Sequence, residues 1–401
     1  MQKSFPENAG IGGEFDAAAM AAYFDRALAL AARGEGHTRP NPPVGAVLVA
    51  GGAILGEGFH RRAGGDHAEV AALKNAVRRR RNALGFPAPE RDGETGDVRD
   101  GRVQAAENSD SRPATLFVTL EPCSKPGRVG ACTDAIIAAG VSHVYYAVPD
   151  PNPVNRGRAR KVLNAAGIEC ECLATDLKAL WRRGETAAER ALAECVGRAR
   201  RLIAPFARHV LTGRPFVTVK LAMSLDGKIA DDSGEAKWIS SAASRRATGR
   251  LRERVDAIMV GAETVRRDNP LLLSHGRRND DLLRVVISRS GELPERARVF
   301  TEGANATLVF PDPETALAEL GRRGCLSVLC EGGLTLARAL ADLGVVDEWI
   351  SVTAPIVIGS RPLADARRFE LQANGISDPR VGDRLAVYSA SALTTTDLIQ
   401  P

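Results

Sequence analysis

Aromatic residues are scarce: 11 Phe, 4 Tyr and 3 Trp make up 4% of the 401 residues. Single-stranded nucleic acid is gripped by stacked aromatic faces, and no such platform is visible here. Neither sign of charge dominates. Lys and Arg number 54 against 49 Asp and Glu, a net charge of +5. That excess marks no nucleic-acid partner unless it is clustered. The one dense run, Arg78–Arg81, closes a helical stretch and reads as a solvated face. No run approaches the ~18 apolar residues that cross a bilayer. The opening MQKSFPENAGIGGEFD carries no apolar stretch of a secretory leader, so a cytoplasmic protein is expected. The seven cysteines are Cys123, Cys132, Cys170, Cys172, Cys195, Cys325 and Cys330. An odd count in such a chain argues against a disulfide framework. Most read as small buried apolar residues. Also missing is a G-x-G-x-x-G after a first strand, so a Rossmann dinucleotide site is not indicated.

With 44% hydrophobic and 26% charged residues, the chain has the composition of a globular protein. Its length argues for two or three domains. Helical spacing predicts a helix over 16–33. Two β-rich runs, 44–50 and 53–60, flank Gly51-Gly52 and read as a hairpin. A helix is expected from His67 to Arg80. Residues 82–113 are polar and rich in Gly, Pro and Asp, which reads as a surface insertion. Strands at 115–120 and 143–148 then alternate with helices. The alternation predicts an α/β architecture with a largely parallel sheet. A charged helical stretch, 176–214, reads as a connector, its end marked by Pro205, Gly213 and Pro215. A second αβ series follows from Phe216.

One constellation carries chemistry. His67-Ala68-Glu69 opens a helix, and across the insertion come Glu121-Pro122-Cys123 and then Cys132. One imidazole and two thiolates suit a catalytic zinc whose fourth position stays open for water. Glu69 stands two residues beyond His67, where it reaches that water more readily than the metal. It is therefore the candidate general acid/base. The logic is that of zinc-dependent base deaminases, though their two cysteines are usually spaced more closely.

The segment TLEPCSKPGRVGAC (119–132) resembles the long-spaced signature of the bifunctional riboflavin-biosynthesis deaminase/reductase (RibD) family. NPPVG (41–45), HAEV (67–70), DPNP (150–153) and AAGI (165–168) are similar to its other deaminase motifs. In the second half the similar motifs are KLAMSLDGKIA (220–230), WIS (238–240), VGAETVRRDNP (260–270), CEGGLTLARAL (330–340) and GVVDEWISVTAPIVIG (344–359). The resemblance spans residues 16–360. It implies a cytidine-deaminase-like α/β/α domain over 16–175 and a dihydrofolate-reductase-like α/β domain over 215–395. It implies zinc on His67, Cys123 and Cys132, with Glu69 as proton shuttle and Asn41 on the pyrimidine. Read from sequence alone, Asn41 is better taken as a turn residue before Pro42. The resemblance further implies NADPH near Ala222, Trp238, Thr264, Asp268 and the helix start at Gly333, Leu334 and Thr335. Lys220, Arg252, Leu272 and Glu331 would bind the substrate's sugar phosphate.

The implied activity is deamination of 2,5-diamino-6-(ribosylamino)-4-pyrimidinone 5′-phosphate, followed by reduction of its ribosyl group to ribityl. The expected partners are this small molecule and further copies of the chain, with no nucleic acid and no membrane. The chain departs from the family pattern at several places. Lys125 stands where His is usual, Val129-Gly130-Ala131 where Thr-Pro-Pro is usual, Ala159 at a glycine, Ala236 at a serine and His275 at an arginine. The last two sit at phosphate-binding positions. They motivate a second reading: a paralogue with an active deaminase and an altered or idle reductase.

Overall fold

Runs of Val, Ile and Leu form strands and alanine-rich stretches form helices in a computed structural model. It describes residues 15–83, 113–125, 130–176, 186–231, 239–274, 282–303, 305–359, 367–368 and 384–389. Most of the expected insertion at 82–113 lies outside the described residues. The chain divides into two units, Met1–Ala207 with Pro401, and Arg208–Gln400.

The first unit opens with α1 (Ala17–Ala31), whose N-terminus is capped where Asp16 Oδ1 accepts the Ala19 N–H at 2.8 Å. Next come β1 (Gly45–Ala50), β2 (Ala53–Phe59), α2 (Ala68–Ala83), β3 (Ala114–Leu120) and α3 (Cys132–Ala138). They are followed by β4 (His143–Val148), α4 (Arg158–Ala165) and β5 (Glu169–Cys172). The sheet order is β2-β1-β3-β4-β5. The expected parallel pairing holds for β3, β4 and β5, whereas β1 runs antiparallel to both β2 and β3. The cause of the β1–β2 reversal is local. Gly51 and Gly52 have φ of 55° and 79°, the doubly positive geometry of a two-residue hairpin turn.

Glycine also sets the distance between β2 and α2. A Cβ on Gly58 would lie 2.4 Å from both the Ala68 oxygen and the Ala72 nitrogen, and one on Gly56 would lie 2.3 Å from the Ala72 oxygen. No side chain fits there, so the helix backbone rests directly on the strand. Ala68 and Ala72, one helical turn apart, are fully buried on that face. Behind the sheet, Phe117 meets Phe24 edge-on at 5.5 Å and stacks on Tyr145 at 5.3 Å.

The stretch expected as a connector is largely one helix, α5 (Ala187–Thr212), with Pro205 inside it. Leu192, Cys195, Val196, Ala199 and Ile203 lie in the first unit's core. Burial on both sides of Pro205, at Ile203 and Ala207, offsets the missing N–H bond that makes proline a helix breaker. The boundary between the units falls within this helix, at Ala207/Arg208.

The second unit contains β6 (Phe216–Met223), α6 (Ala242–Arg252), β7 (Ala257–Gly261), α7 (Ala262–Asp268), β8 (Leu283–Ile287) and α8 (Arg298–Thr301). It continues with β9 (Thr307–Phe310), α9 (Pro313–Arg322), β10 (Ser327–Cys330), α10 (Leu334–Asp342) and β11 (Glu348–Thr353). The ribbon β12 (Ile356–Val357) with β13 (Arg367–Arg368), and finally β14 (Arg384–Ser389), complete it. Its sheet order is β14-β11-β6-β10-β7-β8-β9. Every described pair in it is parallel except β11–β14. Asp347 anchors the start of this sheet. Its Oδ2 accepts the Val217 N–H at 2.9 Å and its Oδ1 faces Arg208 Nε at 3.2 Å. Burial pushes its carboxyl up to about 6.

All seven cysteines are free, and each except the half-buried Cys123 is buried. Burial pushes the thiols of Cys170 and Cys330 up to about 12 and that of Cys195 up to about 11. These are the inert apolar residues expected of most of them.

Candidate metal centre and cofactor site

His67 ends the loop entering α2, and its carbonyl accepts the Ala71 N–H at 2.9 Å, so it caps that helix. Cys123 follows β3, and Cys132 is the first residue of α3. Three separate elements thus place three donors within 4.8 Å of one another. His67 Nδ1 lies 3.2 Å from Cys132 Sγ and 3.5 Å from Cys123 Sγ. Zinc with ordinary bond lengths and tetrahedral angles separates nitrogen from sulfur by about 3.6 Å. The donor types and their spacing fit that ion. His67 turns Nδ1 toward both sulfurs, a choice of nitrogen that the sequence did not specify.

The two thiols perturb each other. The bond from Cys132, with help from His67, holds Cys123 down at about 4, while Cys132 is pushed well above its ordinary value by the same bond and by burial. Cys123 Sγ also accepts the Cys132 backbone N–H at 3.3 Å, which favours its anionic form. Glu69 is 3% exposed, and burial is the main cause of its raised carboxyl pKa. A carboxyl kept closer to neutrality can both take and return a proton.

Glu121, two residues before Cys123, is buried and acts as a staple. Its Oε2 accepts the Asp150 N–H at 3.1 Å and its Oε1 accepts the Ala159 N–H at 3.2 Å. The Glu-Pro-Cys motif is thereby tied to the Asp-Pro-Asn-Pro motif and to α4. Asp150 in turn accepts from Asn152 N at 2.8 Å and Asn155 Nδ2 at 3.1 Å.

Asn41 reaches the metal centre through His60, a residue that sequence reasoning missed. His60 is 2% exposed. Its Nε2 lies 3.1 Å from Asn41 Nδ2 and its Nδ1 lies 3.0 Å from the Asp66 carbonyl. Its ring packs edge-on to His67 at 5.1 Å. Burial is the main cause lowering its pKa. Only its position, at the end of a strand seven residues before the first ligand, could have drawn notice. Lys125 is exposed, and residues 126–129 lie outside the described residues.

In the second unit Ala222 lies on β6, Thr264 and Asp268 on α7, Leu334 and Thr335 on α10, and Gly333 caps α10. β7 and β10 are neighbours in the sheet, and each leads into a helix at its carboxyl end. A Cβ on Gly332 would lie 3.2 Å from Leu336 Cβ and 3.3 Å from Gly261 N. Glycines thus pack both helix starts closely and leave backbone N–H groups for a phosphate-bearing cofactor. The residues present fit a dinucleotide.

Lys220, Arg252, Glu331 and the loop carrying Leu272 are brought together. Arg252 holds Glu331 with two bonds, Nε to Oε1 at 2.6 Å and Nη2 to Oε2 at 2.8 Å, and donates from Nη1 to the Leu273 carbonyl at 3.1 Å. Burial lowers the pKa of Lys220, and Glu331 opposes that shift. Leu272 differs from expectation in what it can offer. Its side chain is 2% exposed in an apolar cluster, and its φ is 52°, so only its backbone can meet a ligand. Trp238, Ala236 and His275 lie outside the described residues.

A His-Cys-Cys centre with a buried carboxyl, followed by a parallel-sheet unit with a cofactor cradle, defines a zinc-dependent deaminase joined to a reductase. Residues 19–148 match the cytidine and deoxycytidylate deaminase zinc-binding region, and residues 215–378 match the RibD C-terminal domain. The riboflavin biosynthesis protein RibD of Synechocystis is 34% identical over 363 residues, 84% of each chain. That of Escherichia coli is 32% identical over 397 residues, 87% of this chain and 94% of its own. The Thermotoga maritima deaminase/reductase structure covers 92% of this chain and 98% of its own, at 29% identity and TM-score 0.71. An Acinetobacter baumannii RibD structure covers 90% and 94%, at 30% identity and TM-score 0.65. The chain belongs to the RibD family.

Proposed function

We propose that this enzyme deaminates 2,5-diamino-6-(ribosylamino)-4-pyrimidinone 5′-phosphate and then reduces the ribosyl group of the product to ribityl. Residues 16–175 are assigned the first step and 215–395 the second. The observation that carries the reading is the His67–Cys123–Cys132 donor set with buried Glu69 beside it. The T. maritima relative is named as a diaminohydroxyphosphoribosylaminopyrimidine deaminase and 5-amino-6-(5-phosphoribosylamino)uracil reductase, which supplies the substrate class.

Zinc on His67, Cys123 and Cys132, when bound, supplies a Lewis acid and lowers the pKa of water. Glu69 takes a proton from the attacking water and returns it to the departing ammonia. Asn41 orients the pyrimidine. In the second unit the helix start at Gly333, Leu334 and Thr335, with Ala222, Thr264, Asp268 and Trp238, holds NADPH, whose chemistry is hydride donation. Lys220, Arg252, Glu331 and the Leu272 backbone place the ribosyl phosphate. Arg252 has committed three of its five N–H donors to Glu331 and Leu273, so two are left for the phosphate. Work in the cytoplasm as a homo-oligomer is part of the same proposal. No described helix is long and apolar enough to cross a membrane.

The alternative of an altered or idle reductase is not favoured, because both family domains match along the chain. Mass spectrometry of products from the diaminopyrimidine ribotide, with and without NADPH, tests the reading. Expected is loss of one amino group without NADPH and a further gain of two hydrogens with it. A product keeping both amino groups would refute the first half, and a deaminated product unchanged by NADPH the second.

A further inference from the structure

The metal centre and Asn41 share one unassigned neighbour. His60 follows β2 directly, and its backbone N–H donates to the Val44 carbonyl at 2.9 Å. Its ring stands between two loops. The Asp66 carbonyl, 3.0 Å from Nδ1, can only accept, so Nδ1 carries the proton. In the neutral ring Nε2 is then a bare lone pair. Asn41 must therefore turn its NH2 toward Nε2, across the 3.1 Å contact. The carbamoyl oxygen is left as an acceptor for a ligand.

The rest of the Asn41 loop is already fixed. Its N–H donates to the Thr38 carbonyl at 2.8 Å, and its carbonyl accepts from Thr38 Oγ1 at 2.8 Å. The Asp66 side chain is held too, accepting from Lys74 Nζ at 2.9 Å on both oxygens. With main chain and neighbouring loop pinned, the remaining freedom is the half-turn of the Asn41 amide. That half-turn exchanges an acceptor for a donor at the substrate.

We propose that His60 is a positioning residue for deamination, fixing the Asn41 amide so that its oxygen accepts from the N–H edge of an aminopyrimidinone. The inference rests on the reading of Asn41 given above. His60 itself makes no contact with substrate in this account.

The test measures Kd for the diaminopyrimidine ribotide by calorimetry on the zinc-loaded full chain carrying Glu69→Gln, which binds without turnover. Asn41→Ala, His60→Ala, their combination and His60→Gln are added to that background, with zinc content measured for each. Asn41→Ala and His60→Ala are each expected to weaken binding about tenfold, the weight of one aligned hydrogen bond. In the Asn41→Ala background, His60→Ala should add nothing. His60→Gln, whose Oε1 falls near the place of Nε2 and accepts the same N–H, should recover most of the affinity. Additive effects would overturn the inference, as would loss of zinc in His60→Ala, which would put its role on His67. An unchanged Kd in Asn41→Ala would remove both the reading of Asn41 and the inference built on it. Failure of the parent to bind the ribotide at all would strike the proposed function instead.

Discussion

Replacing Gly58 by alanine should disable the metal centre without touching it. The new Cβ would sit 2.4 Å from the Ala68 oxygen and the Ala72 nitrogen, where ordinary contacts begin at 3.4 Å. Both obstructing atoms are helix backbone and cannot swing aside, so α2 must retreat by about 1 Å, the difference of those distances. Overpacking of this kind costs about 1–3 kcal/mol. The functional cost is larger in proportion. His67 immediately precedes α2 and Glu69 lies in its first turn, so both move against Cys123 and Cys132. Metal sites tolerate errors of about 0.2 Å in ligand distance. A shift several times that size should lower zinc affinity about 10- to 100-fold, the range seen when ligand-supporting contacts are lost. The assay is zinc retained in competition with a chromophoric chelator, alongside the deamination rate. Reduction of a pre-deaminated ribotide serves as the internal control, because Gly58 belongs to the first unit, and its rate should hold. Full zinc occupancy with an unchanged deamination rate would refute the claim that strand–helix contact positions the ligands.

Three further outcomes are expected. Glu121→Ala leaves the Asp150 and Ala159 amides without their acceptor; at about 1–3 kcal/mol for each buried donor, exchange at both amides should quicken about 5- to 150-fold, and unchanged protection would contradict the staple. Asp347 has a folded pKa of about 6, above its ordinary value of 3.8. Its stabilising contribution is therefore complete below pH 3.8 and is lost as pH rises through 6, a difference of about 3 kcal/mol. The unfolding free energy of the wild type should fall against that of Asp347→Asn between pH 4 and 7, and parallel pH profiles would deny it. Arg252→Ala strips Glu331 and the Leu273 carbonyl of their donor; breaking one side of such a pair costs at least about 2 kcal/mol. Reductase kcat/KM should drop more than tenfold with deamination intact, and loss of both activities would point to general unfolding instead.

Much of this was legible before any coordinates. Apolar runs bounded by glycine marked the strands, and Gly51-Gly52 announced its own hairpin. The His-x-Glu and Glu-Pro-Cys pieces marked the metal ligands because few other roles join those residue types at helix and strand ends. What stayed hidden was non-local. Nothing in the text of β1 says that β3 will run against it, since strand direction leaves no mark on side-chain alternation. Pro205 read as a break because its neighbours' burial could not be seen. α7 has seven residues, too few to show a helical period. His60 looked like any other histidine, since its meaning lies in partners 19 residues before it and six after. The Arg252–Glu331 pair spans 79 positions, beyond any motif.

The distribution of thiols gives the chain a built-in gauge. Six sulfurs are shut away, and burial holds several near or above pH 11, so an alkylating reagent in neutral buffer finds them protonated and out of reach. Cys123 is partly open and held near pH 4, the reactive condition of a thiolate. An ion clasped there would mask it. A dose of iodoacetamide followed by peptide mapping would then count the vacant fraction of a preparation at a single residue.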